Sequence, residues 1–186
     1  RRRQRAGAAS AAALGLPLRF NWSKKLGGEL TPPSASGGRV FVGSTNHSVY
    51  ALNQATGEVA WSFMTGGAIR VTPTWWNGRV YAGSEDGWVY ALRADSGELI
   101  WRFRGAPHDR KLLNYGRVHS VWPVNGGVIA GEEGTIYFYA GYNSSDKMYL
   151  YALNGVTGEI IWSNDEAGFA TNEENAATGV SPYGVS

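Results

Sequence analysis

Residues Gly38-Arg39-Val40-Phe41-Val42-Gly43-Ser44 recur forty positions later as Gly78-Arg79-Val80-Tyr81-Ala82-Gly83-Ser84. The same offset aligns Val49-Tyr50-Ala51-Leu52 with Val89-Tyr90-Ala91-Leu92 and Thr56-Gly57-Glu58 with Ser96-Gly97-Glu98. It also aligns Trp61 with Trp101 and Pro33 with Pro73. A third copy ends in Tyr151-Ala152-Leu153, Thr157-Gly158-Glu159 and Trp162, and Trp22 is left from a partial copy upstream. Self-similarity at a fixed period of this size implies one supersecondary unit per copy. Such a unit cannot bury its own apolar surface and must stack on its neighbours.

Each copy reads as four short strands. In the second copy they fall at 69–76, 79–84, 88–93 and 98–104, separated by Gly78, by Glu85-Asp86-Gly87 and by Asp95-Ser96-Gly97. No segment after residue 17 has a 3.6-residue apolar period. Glycine supplies 26 of 186 residues and aromatic residues 13%, as expected for many turns and large flat side chains. In Trp88-Val89-Tyr90-Ala91-Leu92 both faces of the strand are apolar, so sheet must stack on sheet. Four-stranded units at this period predict an all-β chain, a β-propeller segment of four-stranded antiparallel blades. The blades are expected at about 29–64, 69–104 and 118–164, with a partial blade at 175–186. The propeller segment as a whole spans 18–186. Residues 1–17 carry Arg1, Arg2, Arg3 and Arg5 ahead of an Ala-rich run. They read as a linker or as the remnant of an export signal.

The regular tryptophans Trp22, Trp61, Trp101 and Trp162 are expected to pack between successive blades. Gly43, Gly83, Ala51, Ala91 and Ala152 are expected to leave room for their rings. Gly57, Gly97 and Gly158 each follow a hydroxyl residue in a tight turn, where a positive φ suits a residue without Cβ.

The segments Val80-Tyr81-Ala82-Gly83-Ser84, Gly87, Val89-Tyr90-Ala91-Leu92, Ser96-Gly97-Glu98 and Trp101, with their counterparts, resemble the pyrroloquinoline-quinone (PQQ) type of repeat of quinoprotein alcohol dehydrogenase-like propellers. The resemblance covers about 22–164, and no Trp-Asp pair of the WD type is present. It implies a closed ring of seven or eight blades. Three complete copies are then part of a larger propeller, which the remaining blades or a partner protein must close. It also implies PQQ and calcium as cofactors in the catalytic relatives, and an extracytoplasmic (periplasmic or secreted) location.

In a propeller, the loops joining one blade to the next share a face with the loops joining second to third strands. The departures from the repeat at 105–117, 142–147 and 165–174 are all of these kinds, so they should meet on one rim. Loops on a rigid scaffold are where binding residues concentrate. The candidates for ligand contact are Arg70, Trp76, His108, Asp109, Arg110, Arg117, His119 and Trp122, with Lys111, Asn114 and Tyr115 beside them. Arginine and lysine suit a carboxylate or another anion. Trp75, Trp76 and Trp122, expected on inner strands, suit a planar ligand or a sugar.

The sequence excludes several classes of chemistry. Without cysteine there is no thiolate nucleophile, disulfide or Cys-ligated zinc. His47, His108 and His119 lack a zinc spacing, and no EF-hand, phosphate loop or nucleophile elbow occurs. The net charge is +2, much of it in the first five residues, so no nucleic-acid surface is implied. No run of eighteen apolar residues spans a membrane. Everything patterned explains packing and nothing patterned explains bond chemistry. The favoured reading is therefore a non-catalytic module binding a small molecule, a glycan or a protein on its rim. The alternative is a fragment of a PQQ- and calcium-dependent dehydrogenase acting on alcohols or sugars.

Overall fold

The computed structural model describes residues 19–114, 116–142 and 147–164. The first sheet is β1 (Ser34–Ser36), β2 (Arg39–Gly43), β3 (Ser48–Asn53) and β4 (Val59–Met64). The second is β5 (Thr74–Trp76), β6 (Arg79–Gly83), β7 (Trp88–Arg93) and β8 (Leu99–Arg104). A hairpin of β9 (Lys111–Asn114) and β10 (Arg117–Ser120) follows. The third sheet is β11 (Ile129–Ala130), β12 (Thr135–Ala140), β13 (Tyr149–Asn154) and β14 (Ile160–Asn164). Within each four-stranded sheet the strands pair in sequence order, all antiparallel. The all-β, blade-repeating architecture is the expected one. Among the described residues no helix is long and apolar enough to cross a membrane.

The turn between third and fourth strands follows one plan in each blade, with an asparagine at its start in the first and third blades and Arg93 in the second. Asn53 Oδ1 accepts from Ala55 N at 2.8 Å and Thr56 N at 3.2 Å, and Asn154 Oδ1 accepts from Val156 N at 2.8 Å and Thr157 N at 3.1 Å. The hydroxyl oxygens of Thr56, Ser96 and Thr157 each accept from the glutamate N–H two residues on, at 3.3 Å. Gly57, Gly97 and Gly158 sit at φ 73°, 75° and 78°, a conformation a Cβ resists.

These glycines also receive the tryptophans. A Cβ on Gly57 would stand 2.5 Å from the Trp22 ring, one on Gly97 2.6 Å from Trp61, and one on Gly158 2.8 Å from Trp101. Each indole N–H donates into the same turn: Trp22 to Gln54 O at 2.9 Å, Trp61 to Ala94 O at 3.1 Å, Trp101 to Gly155 O at 3.2 Å. The ring of one blade is thereby laid on the turn of the next. The mid-strand glycines do a different job from the one expected of them. The side of Gly43 is filled by Ile69 and that of Gly83 by Val124, both from connecting segments.

Two apolar clusters result, one in each space between neighbouring sheets. Phe41, Val49, Ala51, Trp61, Ile69, Val80, Ala82, Tyr90 and Leu92 fill the first. Tyr81, Val89, Trp122, Ile136, Phe138 and Leu153 belong to the second. Burial between sheets, not within one, explains why both strand faces are apolar.

The third blade departs from the sequence reading. Its first strand was expected near 118, yet 117–120 pairs with 111–114 and the sheet begins at Ile129. Lys-Leu-Leu-Asn and Arg-Val-His-Ser flank a turn with Gly116 at φ 71°, so they close locally on each other instead of joining the sheet. Trp122 accordingly lies in the connection between β10 and β11. Trp162 is 42% exposed on β14, beside Ile160 and Ile161, with Tyr137 6.1 Å away. The expected partial blade at 175–186 and the acidic loop at 165–174 lie outside the described residues, as do Tyr115 and 143–146.

Candidate functional site

The connecting segments converge on one end of the sheets and are stitched there by backbone hydrogen bonds. Ile69 N donates to Ser44 O, Glu85 N to Ala68 O, Ser120 N to Glu85 O, Val124 N to Ser84 O and Gly141 N to Pro123 O, all at 2.8–3.0 Å. Interblade loops thus dock on the second-to-third-strand loops, and the rim is a continuous surface.

Three groups of polar and aromatic residues stand on it. The first centres on Arg70, whose Nε is 2.5 Å from Glu85 Oε1 and whose Nη1 is 3.9 Å from Glu29 Oε2. Glu85 is buried, and its hydrogen bond holds the Arg70 guanidinium firmly protonated. Asn125 Nδ2 donates to the Tyr142 hydroxyl at 3.2 Å, and the His119 ring meets Tyr142 edge-on at 6.3 Å. Burial, then the charge of Glu85, raises the Tyr142 phenol above its ordinary value, so it remains a neutral donor. His119 Nδ1 lies 2.9 Å from Ser120 O, which assigns the proton to Nδ1 because a carbonyl only accepts.

The second group surrounds Trp122, which is buried. Arg110 lies over its ring at 5.3 Å, and His108 and Tyr149 meet it edge-on at 6.4 and 6.3 Å. The third group lines a cleft of about 740 Å³ between the hairpin and the outer strands of the first two blades. Asp109, Lys111, Arg117 and His119 border it on one side, and Arg102, stacked on Trp88 at 4.5 Å, on the other. Asp109 pairs with Lys111 at 3.9 Å, both well exposed. Such a pair contributes little. Asp109→Ala is therefore expected to shift unfolding free energy by less than about 0.5 kcal/mol. A denaturant titration checks this, and a larger loss would mean that Asp109 braces the hairpin.

The structure brings Arg70, His108, Asp109, Arg110, Arg117, His119 and Trp122 to this rim. It does not bring Trp76 there. Trp76 ends β5 at the opposite end of the sheet, and its ring packs on the turn glycine Gly134. The sequence reading missed Glu85, Asn125, the strand at 111–114 and its pairing with 117–120. Gly116, set between the short runs 111–114 and 117–120, was the available turn signal for the hairpin.

PQQ and calcium need a planar slot and a converging set of oxygen donors. The described rim residues do not fit that demand. Among them no three carboxylate or imidazole groups converge. Glu85 is held by Arg70. Asp86 already accepts from Gly66 N at 2.8 Å, Trp88 N at 3.0 Å and the Tyr90 hydroxyl at 2.6 Å. The Trp122 ring is covered by Arg110, His108 and Tyr149.

Comparison with known proteins bears on the fold. A family model described as outer membrane protein assembly factor BamB matches residues 18–116 and 85–179. No curated protein sequence matches the chain. Among solved structures, a europium-containing methanol dehydrogenase is similar at TM-score 0.60 and 19% identity, over 78% of this chain and 26% of that one. The quinohemoprotein alcohol dehydrogenase of Comamonas testosteroni gives 0.59 and 18%, over 82% and 24%. BamB from Moraxella catarrhalis gives 0.50 and 20%, over 80% and 52%. The chain spans about half or less of the length of each of these proteins.

Proposed function

From the premise that this chain belongs to the BamB-type family of PQQ-like β-propeller repeats, we propose that it is a non-catalytic propeller module that binds a protein partner on its rim. The observation that carries the reading is the β9–β10 hairpin. Leu113 and Val118 are directly paired across it, so their side chains share one side, and they are 75% and 60% exposed. Met64, also exposed, lines the cleft beside Val118. Lys111, Arg117 and Arg110 add positive charge around these apolar groups. Among the described residues no third strand joins the hairpin, and its outer edges are unpaired apart from Ser120 N, which donates to Glu85 O. Apolar side chains beside open backbone donors and acceptors suit an extended, partly acidic protein segment added as a strand. The family description, an outer membrane protein assembly factor, points to a partner in that assembly and to an extracytoplasmic location. The remaining blades of the ring are assigned to further chain or to a partner.

The double substitution Leu113→Asp, Val118→Asp tests this in the full-length protein. Both positions are exposed, so the melting temperature should hold within a few degrees. Co-purification of outer-membrane assembly proteins should fall at least tenfold, which corresponds to about 1.4 kcal/mol. An unchanged partner profile overturns the reading. So does dye reduction with an alcohol or sugar that requires added PQQ and calcium.

A further inference from the structure

At the end of the sheets opposite the rim, the turns of the first two blades bound a second cleft of about 720 Å³. We propose that it binds a phosphate monoester carried on a flat ring, with Arg39 and Arg79 holding the phosphate and Trp75 stacking on the ring.

Arg39 opens β2 and Arg79 opens β6, and both line the cleft. They occupy the same position in consecutive forty-residue copies, so neighbouring sheets present them at the same end. Among the described residues neither has a carboxylate partner. Arg93 stands directly opposite Arg79 in the β6–β7 register, whereas the first blade places Asn53 opposite Arg39. Like charges directly opposite on a sheet repel. Glu98 answers Arg93 at 3.2 Å, which leaves Arg79 unanswered. Arg79 donates one long hydrogen bond, from Nη1 to Asn77 O at 3.3 Å. Its Nε–H is buried with no acceptor among the described residues. A buried donor without an acceptor is unfavourable, and an oxyanion that lets the guanidinium turn towards it relieves that state.

The rest of the cleft suits the same ligand. Trp75 lines it and is 38% exposed, an unusual degree for an indole. A Cβ on Gly37, Gly38 or Gly78 would meet nothing within 4 Å, so these turns crowd no ligand. Asp95 is the single carboxylate in the lining, and it disfavours weakly held anions. Two unanswered guanidiniums match a phosphate monoester, which carries about −1.5 to −2 charge at pH 7, better than they match a carboxylate. The planar fork of arginine suits two phosphate oxygens at once. The volume falls in the range of about 300–1,000 Å³ typical of small-molecule sites. This site is separate from the rim and stands or falls without it.

Phenyl phosphate titrated into the complete chain is the probe, followed by calorimetry and by the arginine Nε–H resonances in nitrogen-15 spectra. Saturable binding is expected, with the Arg79 Nε–H signal moving in step. Arg39→Gln and Arg79→Gln should each weaken binding at least tenfold with the melting temperature retained. Should Arg79→Gln fail to fold, Arg39→Gln alone decides. Trp75→Leu should weaken phenyl phosphate at least fivefold and leave inorganic phosphate unchanged. Absence of saturable binding overturns the proposal. So does phenol binding as tightly as phenyl phosphate, or full affinity in folded Arg39→Gln.

Discussion

Trp101→Ala is expected to lower unfolding free energy by about 3 kcal/mol, the lower end of the cost of truncating a large core aromatic, because the ring is half-buried against the second apolar cluster. The ring lies on the Gly158 turn of the next blade, donates to Gly155 O and tilts against Tyr81 at 5.8 Å. Its loss opens a void between the second and third sheets and leaves the Gly155 carbonyl with Tyr81 as its remaining side-chain donor. Domain stability is only about 5–15 kcal/mol in total, so a large fall in the denaturation midpoint follows. Trp162→Ala removes an indole that is 42% exposed, and in this chain it should cost well under half as much. Equal losses at the two sites would mean that the interblade contact at Trp101 contributes little.

Gly97→Ala is expected to cost about 2–4 kcal/mol, although it adds one methyl group. The positive φ contributes about 1–2 kcal/mol for any residue with a Cβ. The new atom would also stand 2.6 Å from the Trp61 ring, which must move off the turn or distort it. Gly78→Ala separates these two effects. Its φ is 74°, but nothing lies within 4 Å of the added atom, so only the backbone cost of about 1–2 kcal/mol remains. Identical midpoints for the two variants would show that the Trp61 ring yields freely.

The fold was legible because repetition multiplies weak signals. One Thr-Gly-Glu turn says little, but three Thr/Ser-Gly-Glu turns, each with a tryptophan four residues after the glycine, define a blade boundary. The pairing of each tryptophan with the turn of the next blade was not legible, since both recur with one period and the sequence does not say which copy meets which. The mid-strand glycines were assigned to the rings for that reason, and Ile69 and Val124 fill the space instead. The rim was legible as a location through its departures from the repeat. Its composition was less so: Glu85 sits inside a repeated turn, and Asn125 follows a proline-valine pair with no pattern of its own. In the sequence 111–114 reads as loop because it lies in the 105–117 departure from the repeat, and the segment from 118 reads as the opening of the third blade because nothing in it shows that it turns back on 111–114. Trp76 reads as a rim residue because its strand is the inner one of its blade, yet it ends that strand at the far side.

The indole fastenings all point the same way along the chain, from Trp22 to the Gly57 turn, from Trp61 to Gly97 and from Trp101 to Gly158. Cohesion of this array is therefore vectorial, each leaflet being latched by its predecessor and latching its successor. Loosening one leaflet deprives its successor of a latch, and amide exchange should spread outward from the perturbed joint instead of rising evenly across the molecule.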